Sequence, residues 1–454
     1  MENWEDSLFR PDESRWTIKS DYLGDFLHMY AFFMTCGVLA AILLAYYQLR
    51  RRNLPPWEML IASTVIVPSG LFGGSFFGKI NASGNDWLNG ESFFKLFAFW
   101  EAGMSIHGAI LGGAIAALIM MYFLGRKPRI SLLTYGDCIA PGILISQAIG
   151  RWGNFFNHEL FGRPLGLYDQ VNMPSWLKDN MTYIYNGPSN NVINGVGLQN
   201  GQSYVMQPLF LYESVGFLIV YLMIVLIIPG IGKWISKKPW KLHPNEFNLS
   251  WKNSWIHAFT WDKKIKNTTY FGIWNKAYFE KVEVDQVDWY EEEKRKITTT
   301  NKLKRKWQEG KLLDKANNPD GYIMARCGVQ LGAYFLAWNA IRFYVETNRS
   351  QEGLFIMHNS ELSLTIIGLT GLIGVLIMYL SQFVFPYLLR TPGFFYEKPY
   401  FYTKEVLEKI NKKIEDNKAK KLIKTKINSD KQKMIQEKLN KAREESLKNK
   451  DSKK

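Results

Sequence analysis

Seven apolar stretches, several of them close to the roughly 20 residues that a helix needs to cross a bilayer, constrain this chain more than any other feature. Hydrocarbon offers no partners for backbone N–H and C=O groups, so such stretches must close their hydrogen bonds internally as helices. The stretches are 25–49, 58–78, 104–125, 131–150, 208–232, 323–346 and 361–388. Between and after them, residues 233–321 and 389–454 are dominated by Lys, Glu, Asn and Trp. The expected fold is therefore an all-α polytopic membrane protein with seven transmembrane helices, and not a string of soluble domains. The organisation reads as a segment over 1–24, spans one to five over 25–232 with an outer loop at 151–207, an insertion over 233–322, spans six and seven over 323–388, and a basic tail over 389–454.

Charge orients this body. The net charge is +15, of which about +7 lies in 233–325 and about +10 in 390–454, next to membrane spans where basic residues mark the cytoplasmic side. Arg50, Arg51 and Arg52 follow the first span, Arg126, Lys127 and Arg129 the third, Lys233, Lys237, Lys238 and Lys241 the fifth, and Arg390 the seventh. The loops 79–103, 151–207 and 347–360 are poorer in basic residues, so the N-terminus is expected outside and the C-terminus in the cytoplasm. The basic excess then faces anionic inner-leaflet lipid near the tail, with no nucleic acid as partner. The acidic start Met1-Glu2-Asn3-Trp4-Glu5-Asp6 lacks the basic and apolar parts of a cleavable signal peptide, leaving insertion to the first span. Cys36, Cys138 and Cys327 sit in apolar segments without CxxC spacing, which argues for packing residues over disulfides or zinc. The insertion holds about half of the Trp residues, including Trp251, Trp255, Trp261, Trp274 and Trp289, too aromatic for simple disorder. It is expected to fold as a small cytoplasmic subdomain, with stretches such as Tyr270–Trp274 pairing as strands. The stretch 402–454 reads as a mobile or surface-lying helix.

Ionisable groups at membrane depth are costly, so each needs a partner or a purpose. Tyr30 lies toward the outer end of the first span, His107 opens the third just after Glu101, Arg151 ends the fourth, Glu213 starts the fifth beside Tyr212, and Arg342 and Glu346 end the sixth. At about 1.5 Å per residue, all fall in roughly the outer third of the bilayer. The inner ends read as carrying only exposed Lys and Arg. Polar groups from different helices thus converge on one leaflet, as a water-lined pocket requires. Gly70, Gly73, Gly74 and Gly78, with Gly108, Gly112 and Gly113, read mainly as packing residues that let helices approach. No cluster with metal-ligand spacing occurs in the spans, so no metal or cofactor is expected.

Directly after the fourth span, 150–163 packs Arg151, Asn154, Asn157, His158, Glu159 and Arg163 among glycines and aromatics. Two fixed guanidinium groups, Arg151 and Arg342, suit a phosphate bound bidentately. A phosphate at this depth points to a phospholipid headgroup. His158 reads as an exposed loop histidine.

The stretch Gly150–Arg163 closely resembles the signature of the prolipoprotein diacylglyceryl transferase family, matching at Arg151, Gly153, Asn154, Phe155, Asn157, Glu159, Gly162 and Arg163. Glu101–Gly108, Leu211-Tyr212-Glu213, Arg342–Glu346 with Arg349, and His28-Met29-Tyr30 resemble further elements of that family. The resemblance covers about 25–232 and 323–388. It departs at Gln207-Pro208-Leu209-Phe210, where the family has H-P-S-Q before L-Y-E, at Met29 in place of a tryptophan, and at Trp338 in place of a tyrosine. The insertion and tail have no counterpart in compact members.

The resemblance implies a transferase of the bacterial cell membrane whose site faces the outer leaflet. It implies transfer of the diacylglyceryl group from phosphatidylglycerol to the lipobox cysteine of a prolipoprotein signal peptide, giving a thioether and glycerol phosphate. His107 is then the candidate base for the thiol, and Arg151 and Arg342 hold the phosphate. Tyr30, Asn154, Glu159 and Gly162 line the lipid site, and Glu213 and Glu346 either fix the arginines or supply the base. A transporter or a lipid-binding scaffold would also gather ionisable groups in a membrane cavity, but a transporter site belongs near the midplane between repeats, and no repeat is visible.

Overall fold

The structure is a computed structural model that describes residues 4–19, 22–23, 27–82, 93–98, 104–260, 262, 264–280, 284–412 and 414–416. Glu101, Trp261 and tail residues 417–454, all weighed in the sequence, lie outside the described residues. Most of the chain is helical. Helices α1 (Met29–Arg51), α2 (Trp57–Ala82), α3 (Ile106–Gly125) and α4 (Leu132–Phe156) are followed by the short α5 (Ser175–Asn180). Then α6 (Leu209–Leu222) runs through a π-helical turn into α7 (Ile228–Ile235). The insertion supplies α8 (Pro239–Leu242), α9 (Trp251–Thr260), α10 (Tyr270–Trp274), α11 (Val284–Arg295) and α12 (Lys302–Asn317). The chain returns with α13 (Val329–Asn348), α14 (Ser360–Phe383) and the short α15 (Phe385–Leu388).

Among the described residues, six helical stretches are long and apolar enough to cross a membrane: Met29–Arg51, Trp57–Ile80, His107–Gly125, Leu132–Phe156, Leu209–Leu242 and Ser360–Phe383. The sixth stretch read from sequence, 323–346, is not among them. Its helix is 20 residues long but carries buried Gln330, Asn339, Arg342 and Glu346, which lower its hydropathy. It also starts later than expected, at Val329. Gly328 adopts φ +97°, a conformation open to glycine, and its N–H donates to the Asp137 carboxylate at 2.8 Å. Leu331 N–H donates to the other oxygen at 2.9 Å, so a buried aspartate of α4 caps α13.

Helix α4 is the hub. It packs along α1, against α6 and against α13, while α2 pairs with α3 and α13 with α14. Small residues set the spacing, as the sequence implied for the α2–α3 contact. A Cβ on Gly73 would lie 2.5 Å from the Gly108 carbonyl oxygen, and one on Gly112 2.5 Å from the Ser69 carbonyl oxygen.

The helices alternate in direction, and a small sheet caps one end. Strand β1 (Phe9–Pro11) is followed by the pair β2 (Tyr22–Leu23) and β3 (Leu27–His28), then β4 (Pro164–Leu167), β5 (Thr182–Tyr185), the hairpin β6 (Asn191–Ile193) with β7 (Val196–Leu198), and β8 (Ser203–Met206). The main sheet is antiparallel in the order β1-β5-β8-β4, with Phe9 opposite Tyr185 and Tyr183 opposite Tyr204. Trp4, Phe9, Tyr183, Tyr185, Tyr204 and Met206 share one core. The N-terminal segment is thus built into the loop that follows α4.

At the other end the described residues of the insertion fold mainly as helices. The strand expectation for Tyr270–Trp274 is wrong: Thr269 Oγ1 caps this segment as a helix by accepting from Gly272 N–H at 3.1 Å, and Trp274 and Tyr278 bury with Phe247 and Tyr322. Nor do the helix ends that the sequence assigns to the inner side carry only exposed basic groups. Arg326 and Arg390 are buried and converge on Glu397, at 3.0 and 2.7 Å, and Arg326 also meets Asp314 at 2.7 Å. Burial alone would raise the Glu397 carboxyl; the guanidinium groups of Arg390 and Arg326 outweigh it and hold it well below the usual carboxylate range.

Candidate active site

The sheet-bearing end gathers the polar residues named from sequence. Arg151 lies in the last two turns of α4. Its Nη2 donates to Glu213 Oε1 at 2.9 Å and its Nε lies 2.9 Å from Glu213 Oε2, a two-pronged ion pair. Glu213 is 0% exposed. A carboxylate so desolvated is tolerable only with such partners. Its Oε1 also lies 4.0 Å from Arg342 Nη1, on the facing α13. Arg342 Nη2 sits 3.1 Å from Glu346 Oε2, one turn on, and the other Glu346 oxygen accepts from the Phe355 N–H. Two arginines from different helices are thus tied together through one buried glutamate and held by a second.

A second chain of contacts leads outward. Arg151 Nη1 donates to Asn154 Oδ1 at 3.3 Å, and Asn154 Nδ2 donates to Glu159 Oε2 at 3.1 Å. Glu159 reaches back because the chain reverses sharply after α4. His158 and Leu160 both take positive φ, 54° and 63°. For residues with a Cβ this costs roughly 1–2 kcal/mol each. The strain is offset by fixed contacts: Glu159 N–H donates to Asn154 O at 2.8 Å, Tyr183 Oη donates to His158 O at 2.9 Å, and Leu160 is buried with Phe155 and Phe210. Gly162 pairs with Gln207 through a 2.9 Å backbone hydrogen bond, where a Cβ would meet Gln207 Oε1 at 2.8 Å. Gly153 serves α1 in the same way, since a Cβ there would be 3.1 Å from Tyr30 Cα. Tyr30 is thereby seated beside the α4 terminus.

His107, in the first turn of α3, is wedged between rings, 3.8 Å from Phe355 and 5.2 Å from Trp338 by centroid. Its Nε2 is buried with no hydrogen-bond partner among the described residues, and the charges of Arg342, Arg151 and Arg349 act on it. A buried imidazole nitrogen without a partner is ready for a ligand proton.

All nine site residues expected from sequence lie at this one end, on α1, α3, α4, α6, α13 and the turn after α4. His158 is not the exposed loop histidine expected. It is half-buried and stacked on Trp16 at 3.5 Å, with Nε2 2.8 Å from Ile18 O and Nδ1 3.3 Å from Asn180 O. Burial lowers its pKa against the pull of those carbonyls. Its contacts tie the N-terminal segment to the turn. Sequence reasoning missed that role, and missed Phe355, whose ring and N–H meet His107 and Glu346.

Comparison with known proteins gives this site its family. A family model described as prolipoprotein diacylglyceryl transferase matches residues 22–238. A phosphatidylglycerol–prolipoprotein diacylglyceryl transferase of Streptococcus sanguinis is 32% identical over 202 residues, 44% of this chain and 68% of that protein. The chain belongs to the prolipoprotein diacylglyceryl transferase family. A relative of the same name from Oceanobacillus iheyensis is 30% identical over 201 residues, 44% of this chain and 63% of that protein. One from Gloeobacter violaceus is 53% identical over 78 residues, 17% of this chain and 28% of that protein. The family match ends at 238, whereas Arg342 and Glu346 lie beyond the insertion. The packing of α13 on α4 and α6 returns these two residues to the family site.

Proposed function

We propose that this chain transfers the diacylglyceryl group of phosphatidylglycerol to the lipobox cysteine of a prolipoprotein, the first step of lipoprotein maturation. The observation that carries the reading is the Arg151–Glu213–Arg342 bridge beside the unpartnered His107 Nε2. A phosphodiester entering between the two guanidinium groups meets donors already fixed in place, with no reorganisation during reaction. The substrate thiol, with a free pKa of about 8.5, gives its proton to His107 Nε2 and attacks the glyceryl carbon next to the phosphate. The S–C bond forms as the C–O bond breaks, and glycerol phosphate leaves with the electron pair and one added negative charge, opposite Arg151 and Arg342. Glu213 is engaged by both arginines, and Glu346 by Arg342 and the Phe355 N–H, which supports a positioning role for both and favours His107 as base. Asn154, Glu159, Tyr30 and Gly162 shape the headgroup side of the pocket. The transporter and scaffold readings are less favoured, because the similar proteins are named as transferases.

For topology we propose seven spans, counting α13 because it runs the length of α14 and α4. The N-terminus lies outside, the sheet and site face the outer leaflet, and the insertion and tail lie in the cytoplasm. The basic clusters after α1, α3 and α7 support this orientation, as does a Lys-rich tail that would lie against anionic inner-leaflet lipid. The decisive assay mixes purified protein, phosphatidylglycerol and a lipobox peptide and follows peptide mass. Gain of one diacylglyceryl group is expected. No gain, under conditions where a relative from this family works, refutes the activity.

A further inference from the structure

Helix α9 and the loop into α10 are built inside out. On a helix resting on a protein, the apolar face turns inward and the polar face turns to water. Here Trp255 and Phe259, one turn apart, are 68% and 79% exposed, and Trp251 and Phe271 beside them are 60% and 65% exposed. Asn253 and Ser254 face the protein instead. Asn253 Nδ2 donates to Thr268 Oγ1 at 2.7 Å, and Ser254 Oγ accepts from Tyr270 N–H at 3.0 Å. Trp251 stacks on Tyr270 at 5.8 Å, so the aromatic face is held rigid. A face this apolar and this ordered is matched to an apolar surrounding.

Two observations choose the surrounding. The first is continuity with the apolar bundle. The Phe271 ring lies 5.3 Å from Lys233 Nζ, at the end of the stretch Leu209–Leu242 that crosses the membrane, and Trp234 and Ile235 of that end are themselves exposed. The aromatic face therefore adjoins the exposed apolar end of that stretch. The second is charge. Residues 233–270 hold eight lysines and two acidic residues, and Lys237, Lys241, Lys252, Lys264 and Lys266, on the stretch of chain that carries the aromatic face, are exposed. Trp and Phe over an apolar phase with lysines at the rim are the composition of a helix lying in a lipid interface.

We infer that α9, with Phe271, docks in the plane of the membrane on an anionic lipid surface, at the leaflet where the fifth span ends. This is the inner leaflet on the topology proposed above; the inference rests on that reading only for the name of the leaflet. The docked helix fixes the insertion against the bilayer, with Lys252 and the lysines of the flanking segments at the phosphates and Trp255 and Phe259 among the upper acyl chains.

The test uses the full chain with Cys36, Cys138 and Cys327 replaced by Ala, in vesicles of phosphatidylcholine with roughly one-third phosphatidylserine, a usual anionic surface. An environment-sensitive fluorophore is placed at Phe259→Cys, and a control at Lys296→Cys, on an exposed side chain of the insertion. Shallow nitroxide lipids are expected to quench the label at 259 at least about three-fold more than the control, and more than deep nitroxide lipids do, as for an interfacial helix. Equal quenching at both positions overturns the inference. So does a label at 259 that becomes protected only when cytosolic protein is added, which would assign the face to a protein partner. None of these readouts depends on transfer activity, so failure of the docking and failure of the proposed reaction are separable.

Discussion

At the scale of residues, the site works through pairs whose members cannot be changed one at a time without penalty. Arg151→Ala leaves Glu213 desolvated and removes one of the two proposed phosphate donors. Turnover of phosphatidylglycerol is expected to fall by about 10²-fold or more. Because Arg151 and Glu213 act as a unit, a double-mutant cycle of Arg151→Ala with Glu213→Ala should be strongly non-additive in transfer rate. Additive losses would mean that the ion pair seen here is not the working arrangement. His107→Asn should cut kcat by about 10²–10⁴-fold while leaving KM for the lipid within a few-fold, the pattern of a lost base. A KM effect alone would move His107 from chemistry to binding. The cysteines belong to the opposite class. Cys138 and Cys327 are buried and Cys36 is half-buried, and none approaches the site residues through a contact described above. Replacing all three with Ala should keep transfer within about three-fold, since they act only as small packing groups.

At the scale of elements, the position of His107 depends on how closely α2 and α3 approach. Gly108 follows it directly and sits against the Gly73 backbone, where a side chain on Gly73 has no room. Gly73→Leu should therefore push the helices apart, cost roughly 1–3 kcal/mol of stability, and lower transfer through a displaced His107. A thermal unfolding midpoint and a transfer rate both unchanged would show that α3 is placed by other contacts. The turn after α4 is the second device at this scale. Two residues in the left-handed region bring Glu159 back onto Asn154, and the sheet core holds them there.

At the scale of the whole molecule, one buried ionic cluster joins the insertion, the start of α13 and the segment after α15. Glu397 is ionised between Arg390 and Arg326, and its pKa lies below that of the unfolded chain. Its contribution is fully present above the ordinary carboxylate pKa of about 4.3 and is lost as pH falls below that value toward the folded one. Amide protection factors in 312–327 and 390–403 should therefore fall between about pH 5 and pH 3, while those of the sheet at the other end change less. Glu397→Gln should remove this pH dependence and loosen the same segments at neutral pH, by about 3–5 kcal/mol for a buried pair broken on one side. A uniform fall over both ends would place the acid-sensitive groups elsewhere.

The sequence by itself determined the membrane body, since a run of apolar residues near bilayer length has one physical solution. It also named nine candidate site residues, from polar groups at one end of several helices plus the 150–163 motif, and the fold gathers them at that one end. What it could not give were relations between distant segments. That Glu213 would bridge Arg151 and Arg342, that Asp137 would cap α13, and that α13 would begin at Val329 depends on packing across 62 to 194 positions of chain. Helix α13 falls below the hydropathy of the six apolar helices because it carries buried Gln330, Asn339, Arg342 and Glu346, whose partners on other elements hydropathy does not see. The insertion misled for a related reason. Local β-propensity at Tyr270–Trp274 was overruled by a capped helix with Trp274 in a shared core. The outward face of α9 became meaningful only once the fold showed which side already had a partner.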